Sequence, residues 1–222
     1  MRDKTTVILG DCMDGLRNTE DKFYDLAICD VPYGINASQM TLGEGAGSYR
    51  AAKKYKRGDW DVASPESEYF GELLRVSENQ ILWGANHFIS KIPLDSRCWI
   101  IWDKNNGGSD FADAELAWTS FKSPVRLFKY TWSGYIQDKK TGSEREDKIH
   151  PTQKPVGLYK WLLKNYAKEG DKILDTHVGS GSSRIAAFDM GFEYVGYEID
   201  ADYWAAAEKR FNQHKAQLKL FV

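Results

Sequence analysis

No stretch of this chain approaches the roughly 20 consecutive apolar residues that a membrane helix requires. The opening Met1-Arg2-Asp3-Lys4 passes into a strand pattern without a signal-like apolar core, so a soluble, cytoplasmic protein is expected. Cysteine is scarce. Cys12, Cys29 and Cys98 are odd in number, widely spaced and free of any Cys-x-x-Cys pair, which argues against a disulfide framework or structural zinc and for buried, reduced thiols. The histidines His87, His150, His177 and His214 share no metal-ligand spacing, and no metal is expected. Neither sign of charge is in excess: the net charge is −2, so affinity for a phosphate backbone must come from a local patch. Repeats and low-complexity segments are also lacking. What remains, 222 residues with 42% hydrophobic content, fits one α/β domain with an irregular insertion.

The apolar runs Thr5–Leu9, Tyr24–Cys29, Gln80–Trp83 and Cys98–Trp102 read as short strands, with a turn of helix near Asn86–Ile89. Glu115–Trp118 and Arg126–Trp132 read as a further strand pair. Helical patterns cover Met13–Leu16, a segment opened by Ser64-Pro65-Glu66 with the serine as cap, and Pro155–Ala167. The last third is a β-α-β-α pattern: strand Lys172–Leu174, helix Ser182–Met190, strand Tyr194–Tyr197 and helix Ala201–Phe211. Most tryptophans, Trp83, Trp99, Trp102 and Trp161 included, lie in apolar runs and are expected in the core.

Two segments carry chemistry. Asp30-Val31-Pro32-Tyr33, directly behind an apolar strand, joins a carboxylate that accepts from an amino group, a proline that fixes the turn and a ring that can stack on a base. Far down the chain, Asp175-Thr176-His177-Val178-Gly179-Ser180-Gly181 reads as a strand end and glycine turn. There the backbone can approach a ligand and the next helix presents its N–H groups. Glu198, about 20 residues on at the end of the following strand, suits ribose hydroxyls. A nucleoside-bearing cofactor follows. The third glycine of the six-position dinucleotide fingerprint is replaced by Arg184, which lowers a dehydrogenase reading.

On these residues the chain resembles the S-adenosylmethionine-dependent DNA amino-methyltransferases, which methylate adenine N6 or cytosine N4. Asp30–Tyr33 is similar to their Asp-Pro-Pro-Tyr motif, Asp175–Ser183 to their Asp-Pro-Phe-x-Gly-Ser-Gly motif, and His150-Pro151-Thr152-Gln153-Lys154-Pro155 to their His-Pro-Thr-Gln-Lys-Pro segment. The catalytic motif precedes the cofactor motif, which resembles the permuted beta class. The resemblance implies a circularly permuted, Rossmann-like α/β fold with a seven-stranded, mostly parallel sheet, Tyr24–Cys29 lying beside Lys172–Leu174 and Thr5–Leu9 beyond Tyr194–Tyr197. It implies catalytic residues Asp30, Val31, Pro32 and Tyr33, and S-adenosylmethionine held by Asp11, Lys154, Asp175, His177, Gly179, Ser180, Gly181 and Glu198. Val31 and His177 depart from the family's proline and phenylalanine.

Adenine N6 in DNA is the expected target, because family members acting on cytosine more often begin the catalytic motif with serine. Cytosine N4, or an amine on RNA or protein, stays open. The expected organisation is a single methyltransferase domain over residues 1–222, with a DNA-binding loop at 34–61 and a small target-recognition insertion at 103–149. In that loop Arg50, Lys53, Lys54, Lys56 and Arg57 form a basic patch interleaved with tyrosines, and Trp60 closes it as a candidate base-stacking ring. DNA is thus the expected partner and a bacterial or phage origin is implied. Homodimer formation, recognition sequence and biological role stay open.

Overall fold

The computed structural model describes residues 3–37, 58–107, 112–133, 136–137 and 146–218. Its centre is strand β2, Tyr24–Cys29, whose buried, near-continuous apolar run is what a parallel strand covered on both faces requires. Around it stand β1 (Thr5–Leu9), β3 (Ser77–Trp83), β4 (Trp99–Asp103), β5 (Ala114–Thr119), β6 (Arg126–Lys129), β9 (Lys172–Asp175) and β10 (Glu193–Glu198), in the order β1-β10-β9-β2-β3-β5-β4-β6. Neighbours pair in parallel except where β5 meets β3 and β4, so β5 alone runs against the rest. Trp132–Ser133 (β7) and Ile136–Gln137 (β8) form a separate two-stranded ribbon.

The mostly parallel α/β fold, and the neighbours expected for β2 and β1, are as the sequence implies. The sheet has eight strands, however, not seven. β4 would otherwise present an open edge of unpaired backbone groups, and β6 covers it in parallel. The expected pairing of the two strands near 115 and 126 does not form either, because β4 lies between β5 and β6.

Helices α1 (Cys12–Asn18) and α2 (Ser67–Val76) cover one face, where Ala27, Cys29, Leu82 and Leu174 meet Leu16, Phe70 and Leu73. On the other face α3 (Val156–Tyr166) lays Leu158, Tyr159, Leu162 and Leu163 on Leu26, Ile28, Ile81 and Ile173. Helices α4 (Ser182–Met190) and α5 (Ala201–Leu218) complete that layer, with Phe211 packed on Ile185 and Phe188. Asp11 caps α1 through its carboxylate, which accepts from Met13 N at 2.9 Å. Ser64 does not cap α2: the helix starts at Ser67 behind Glu66, without a side-chain cap bond. Short 3₁₀ turns at Ala85–His87 and Ile89–Lys91 take the place of the single turn expected there. Cys12, Cys29 and Cys98 are free and buried, as expected.

The crossovers from β2 and β9 diverge. From β9 the chain goes through α4 to β10 on one side, and from β2 through α2 to β3 on the other, which opens a crevice at the carboxyl ends of this central pair. Leu26, 1% exposed at the middle of β2, anchors the layer beneath it. Leu26→Ala should lower stability by about 3 kcal/mol, read as a fall in the urea unfolding midpoint with little change in slope.

Candidate active site

The carboxyl edge of the sheet is unusually acidic. Asp11 follows β1, Glu198 ends β10, Asp175 ends β9 and Asp30 follows β2, so four adjacent parallel strands each deliver one carboxylate to the same edge. Because β5 runs the other way, its beginning reaches this edge too and brings Glu115, while Lys104 arrives from the end of β4.

Beside β2, the Lys154 ammonium is buried against the Asp30 carboxylate, to which it donates a hydrogen bond. It also lies 3.0 Å from Glu115 Oε2 and 3.0 Å from the Tyr33 hydroxyl. The Tyr33 hydroxyl in turn donates to Asp30 Oδ1 at 2.8 Å, and Lys104 Nζ sits 2.5 Å from Glu115 Oε1. Two carboxylates and two ammoniums thus balance in a largely dry corner. Burial pushes the Asp30 carboxyl above its ordinary pKa, and the Glu115 charge adds to that rise against the pull of Lys154. Burial acts on Glu115 in the same direction, but Lys154 and Lys104 outweigh it and hold the Glu115 carboxyl down to about 2. Tyr33 stays a neutral phenol, its pKa raised well above 10 by burial and by Asp30.

Tyr33 stacks on His87 with ring centres 5.2 Å apart, and a side chain at Gly84, where φ is +71°, would strike its ring. Val31 tucks its side chain into the core, 2% exposed, among Phe88 and Tyr69. Lys154, expected with the cofactor residues, sits instead in this corner. The segment before it is built to aim it: Gln153, 4% exposed, accepts from Ile149 N at 2.8 Å, and its carbonyl accepts from Trp132 Nε1 at 2.8 Å.

Beyond β9 the glycine turn adopts positive φ at Gly179 (+52°) and Gly181 (+75°). It lies close over β10, where Val178 N donates to Tyr197 O at 3.0 Å and a side chain at Gly196 would strike Val178. Glu198 accepts from Gly179 N at 2.8 Å and Asp200 N at 2.9 Å, which locks the acid to the turn. Asp175, 1% exposed, accepts from Ser183 Oγ at 2.6 Å and His177 N at 3.0 Å, and burial pushes its carboxyl up to about 7. Ser180 is buried, with its hydroxyl 3.1 Å from that of Ser182. His177 bonds through Nδ1 to Thr176 Oγ1 at 2.9 Å, and burial lowers its pKa to about 4, so the ring is neutral near pH 7.

The two corners meet. Pro32 from the first, His177 from the second and Asp11 after β1 line one cavity of about 330 Å³. Asp30 is also close enough to Asp175 for its charge to contribute to the raised Asp175 pKa. Trp60 does not line that cavity: its ring leans on His150, centres 4.9 Å apart, and His150 packs on Tyr203 of α5 at 4.3 Å and borders the glycine turn at Gly179. The basic residues Arg50, Lys53, Lys54, Lys56 and Arg57 lie outside the described residues. Sequence reasoning missed Glu115, Lys104 and His87. For Glu115 a signal existed, an acid inside an otherwise apolar strand; the others carry none.

A sheet of this order with two ligand-facing corners over one crevice has the architecture of a class I methyltransferase. Comparison with known proteins agrees. A DNA methylase family model covering N6 and N4 methyltransferases matches residues 114–209. The type II methyltransferase M.HinfI of Haemophilus influenzae is 27% identical, aligned over 95% of this chain and 69% of that protein. M2.MboI of Moraxella bovis, also a type II methyltransferase, is 23% identical over 95% of this chain and 88% of its own. The crystal structure of the M1.HpyAVI–SAM complex matches with a TM-score of 0.61 at 18% identity, covering 94% of this chain and 99% of that one. PvuII DNA methyltransferase, cytosine-N4-specific, gives 0.58 at 13% identity over 94% and 86%. The resemblance to S-adenosylmethionine-dependent DNA amino-methyltransferases is thereby borne out in sequence and in fold.

Two expectations test the electrostatics. Lys154→Met leaves the buried Asp30 carboxylate without a cation, Glu115 keeping Lys104, and should cost about 3 kcal/mol near neutral pH, measured by chemical denaturation. Asp175, raised in the folded state, contributes stability that is present below its unfolded pKa near 4 and lost as pH climbs through about 7. Asp175→Asn should therefore gain on the wild type between pH 5 and 8 in parallel melting curves; a difference in Tm that stays constant with pH would contradict the assignment.

Proposed function

We propose that this chain transfers a methyl group from S-adenosylmethionine to the N6 of an adenine flipped out of DNA. The observation that carries the reading is a cavity lined in common by Pro32 next to Asp30, by His177 of the glycine corner and by Asp11 after β1. The residues present fit the cofactor. Glu198 is fixed beside the turn, its neighbour Ile199 is 68% exposed, and Leu9 before Asp11 is 48% exposed, so an acid for ribose hydroxyls lies next to uncovered apolar surface of the kind a purine ring covers. Asp11, Asp175, His177, Gly179, Ser180, Gly181 and Glu198 would hold it. When bound, S-adenosylmethionine supplies an electrophilic sulfonium methyl.

The chain's own residues would prepare the nucleophile. An aromatic amine donates its lone pair into the ring and attacks poorly. A fixed acceptor for an amino hydrogen localises that pair and sets the line of approach. Asp30 suits this task, because Lys154 and Tyr33 engage Oδ1 and lock the carboxylate, leaving Oδ2 to accept from a substrate amino group. The Val31 carbonyl is the second acceptor. Tyr33 stacks on the base with the face that His87 does not cover, offsetting part of the few kcal/mol needed to extrude the base. Segments 34–61 and 103–149 would read the surrounding DNA within one domain, the first through its basic patch.

Adenine is favoured over cytosine N4 by the aspartate at the head of the catalytic motif. Unmethylated DNA incubated with labelled cofactor and digested to nucleosides should yield N6-methyladenine. N4-methylcytosine would replace the finer reading, and label in RNA or protein alone would overturn the choice of substrate. Asp30→Ala should lose at least about 100-fold in methyl transfer while the cofactor Kd, measured by calorimetry, stays within about twofold.

A further inference from the structure

One buried carboxylate belongs to none of the groups above. Asp61 is 2% exposed, and among the described residues it is engaged by the main chain of a segment some 25 residues earlier. Its Oδ1 accepts from Tyr33 N at 2.6 Å and Gly34 N at 3.0 Å, and its Oδ2 accepts from Ala37 N at 2.7 Å. Its own carbonyl accepts from Asn36 N at 2.9 Å. Four backbone N–H groups of residues 33–37 are therefore tied to one residue. Residues 33–36 lie in no helix or strand that would satisfy their N–H groups, and Gly34 (φ +75°) and Asn36 (φ +57°) adopt left-handed conformations. The preceding residue, Trp60, leans on His150, in the segment that delivers Lys154. Residues 60 and 61 thus touch both the turn that carries Tyr33 and the segment that carries the partner of Asp30.

We propose that Asp61 is a positioning residue for methyl transfer: its carboxylate fixes the backbone turn from Tyr33 to Ala37 and so holds the Tyr33 ring and hydroxyl in register with Asp30 and the incoming base. This rests on the reading of the Asp30 corner as the base site. A carboxylate is suited to the task because it presents two acceptor oxygens at fixed separation, so one side chain serves Tyr33 and Gly34 on one oxygen and Ala37 on the other. Asparagine keeps an acceptor for Tyr33 and Gly34 but sets an amide N–H₂ against the Ala37 N–H, and alanine removes every acceptor.

Asp61→Ala and Asp61→Asn should be compared with wild type in three measurements. In steady-state methylation of DNA, Asp61→Ala should lose at least about tenfold in kcat, with Asp61→Asn in between, because a small misplacement of a catalytic group is costly. The cofactor Kd should stay within about twofold, since the glycine corner is untouched. Backbone amide exchange at residues 33–37 should accelerate at least about tenfold in Asp61→Ala while amides of β2 and β9 keep wild-type protection. A variant with faster exchange but undiminished kcat would overturn the positioning role, and unchanged exchange would overturn the clasp itself. If wild type methylates no DNA, the functional reading fails, yet the exchange measurement still decides the clasp. Should Asp61→Ala not fold, the near-isosteric Asp61→Asn carries the same comparison.

Discussion

The site depends on β2 and β9 lying side by side in parallel while their crossover helices depart in opposite directions. Leu26 pairs with Ile173 and Ala27 with Leu174, so the two strands end level, and the residues that follow them face one another across the gap the departing chains leave open. Asp30 follows one strand and Asp175 ends the other. Asp30 and the glycine turn behind Asp175 are thereby placed at neighbouring strand ends on one edge of the sheet, although more than a hundred residues separate them along the chain.

Such an arrangement concentrates negative charge, and the surroundings show how it is kept tolerable. At the Asp30 corner two lysines match two carboxylates, so no buried charge is left uncompensated and Asp30 has a fixed orientation. At the glycine corner, among the described residues, the acids are held without an ammonium, and Arg210 donates to Ser180 O and Ser182 Oγ instead. Asp175 is held by Ser183, Tyr194 and a backbone N–H and is pushed toward its neutral form, while Glu198 is satisfied by two backbone N–H groups. A cationic cofactor would therefore meet acids held by neutral dipoles, whereas an amine would meet a carboxylate already paired with an ammonium. The contrast follows from which strand each acid ends.

Much of the local structure was legible. Helix Ser182–Met190 coincides with expectation because glycine bounds it at both ends, Gly181 before it and Gly191 after it, each at positive φ. α5 runs on past Phe211 to Leu218, where His214 meets Asp189 at 2.6 Å and Lys215 meets Asp3 at 3.0 Å, long-range contacts with no local signal. The serine cap failed because Ser64-Pro65 satisfies the pattern of a helix start while tertiary packing of Tyr69 and Phe70 selects a start two residues later. The pairing near residues 115 and 126 failed for a different reason: nothing local records that an earlier strand inserts between two later ones.

The sequence by itself determined the two motif segments and most elements of the last third, because glycine turns, caps and apolar alternation act over a dozen residues or fewer. Only the tertiary structure decided that Lys154 would serve Asp30 across 124 residues, that Glu115 would enter on the one reversed strand, and that Asp61 would hold the turn beneath Tyr33. Those contacts join segments that share no local signal. They form only when sheet order brings their strand ends together and burial makes each charge and each N–H find a partner.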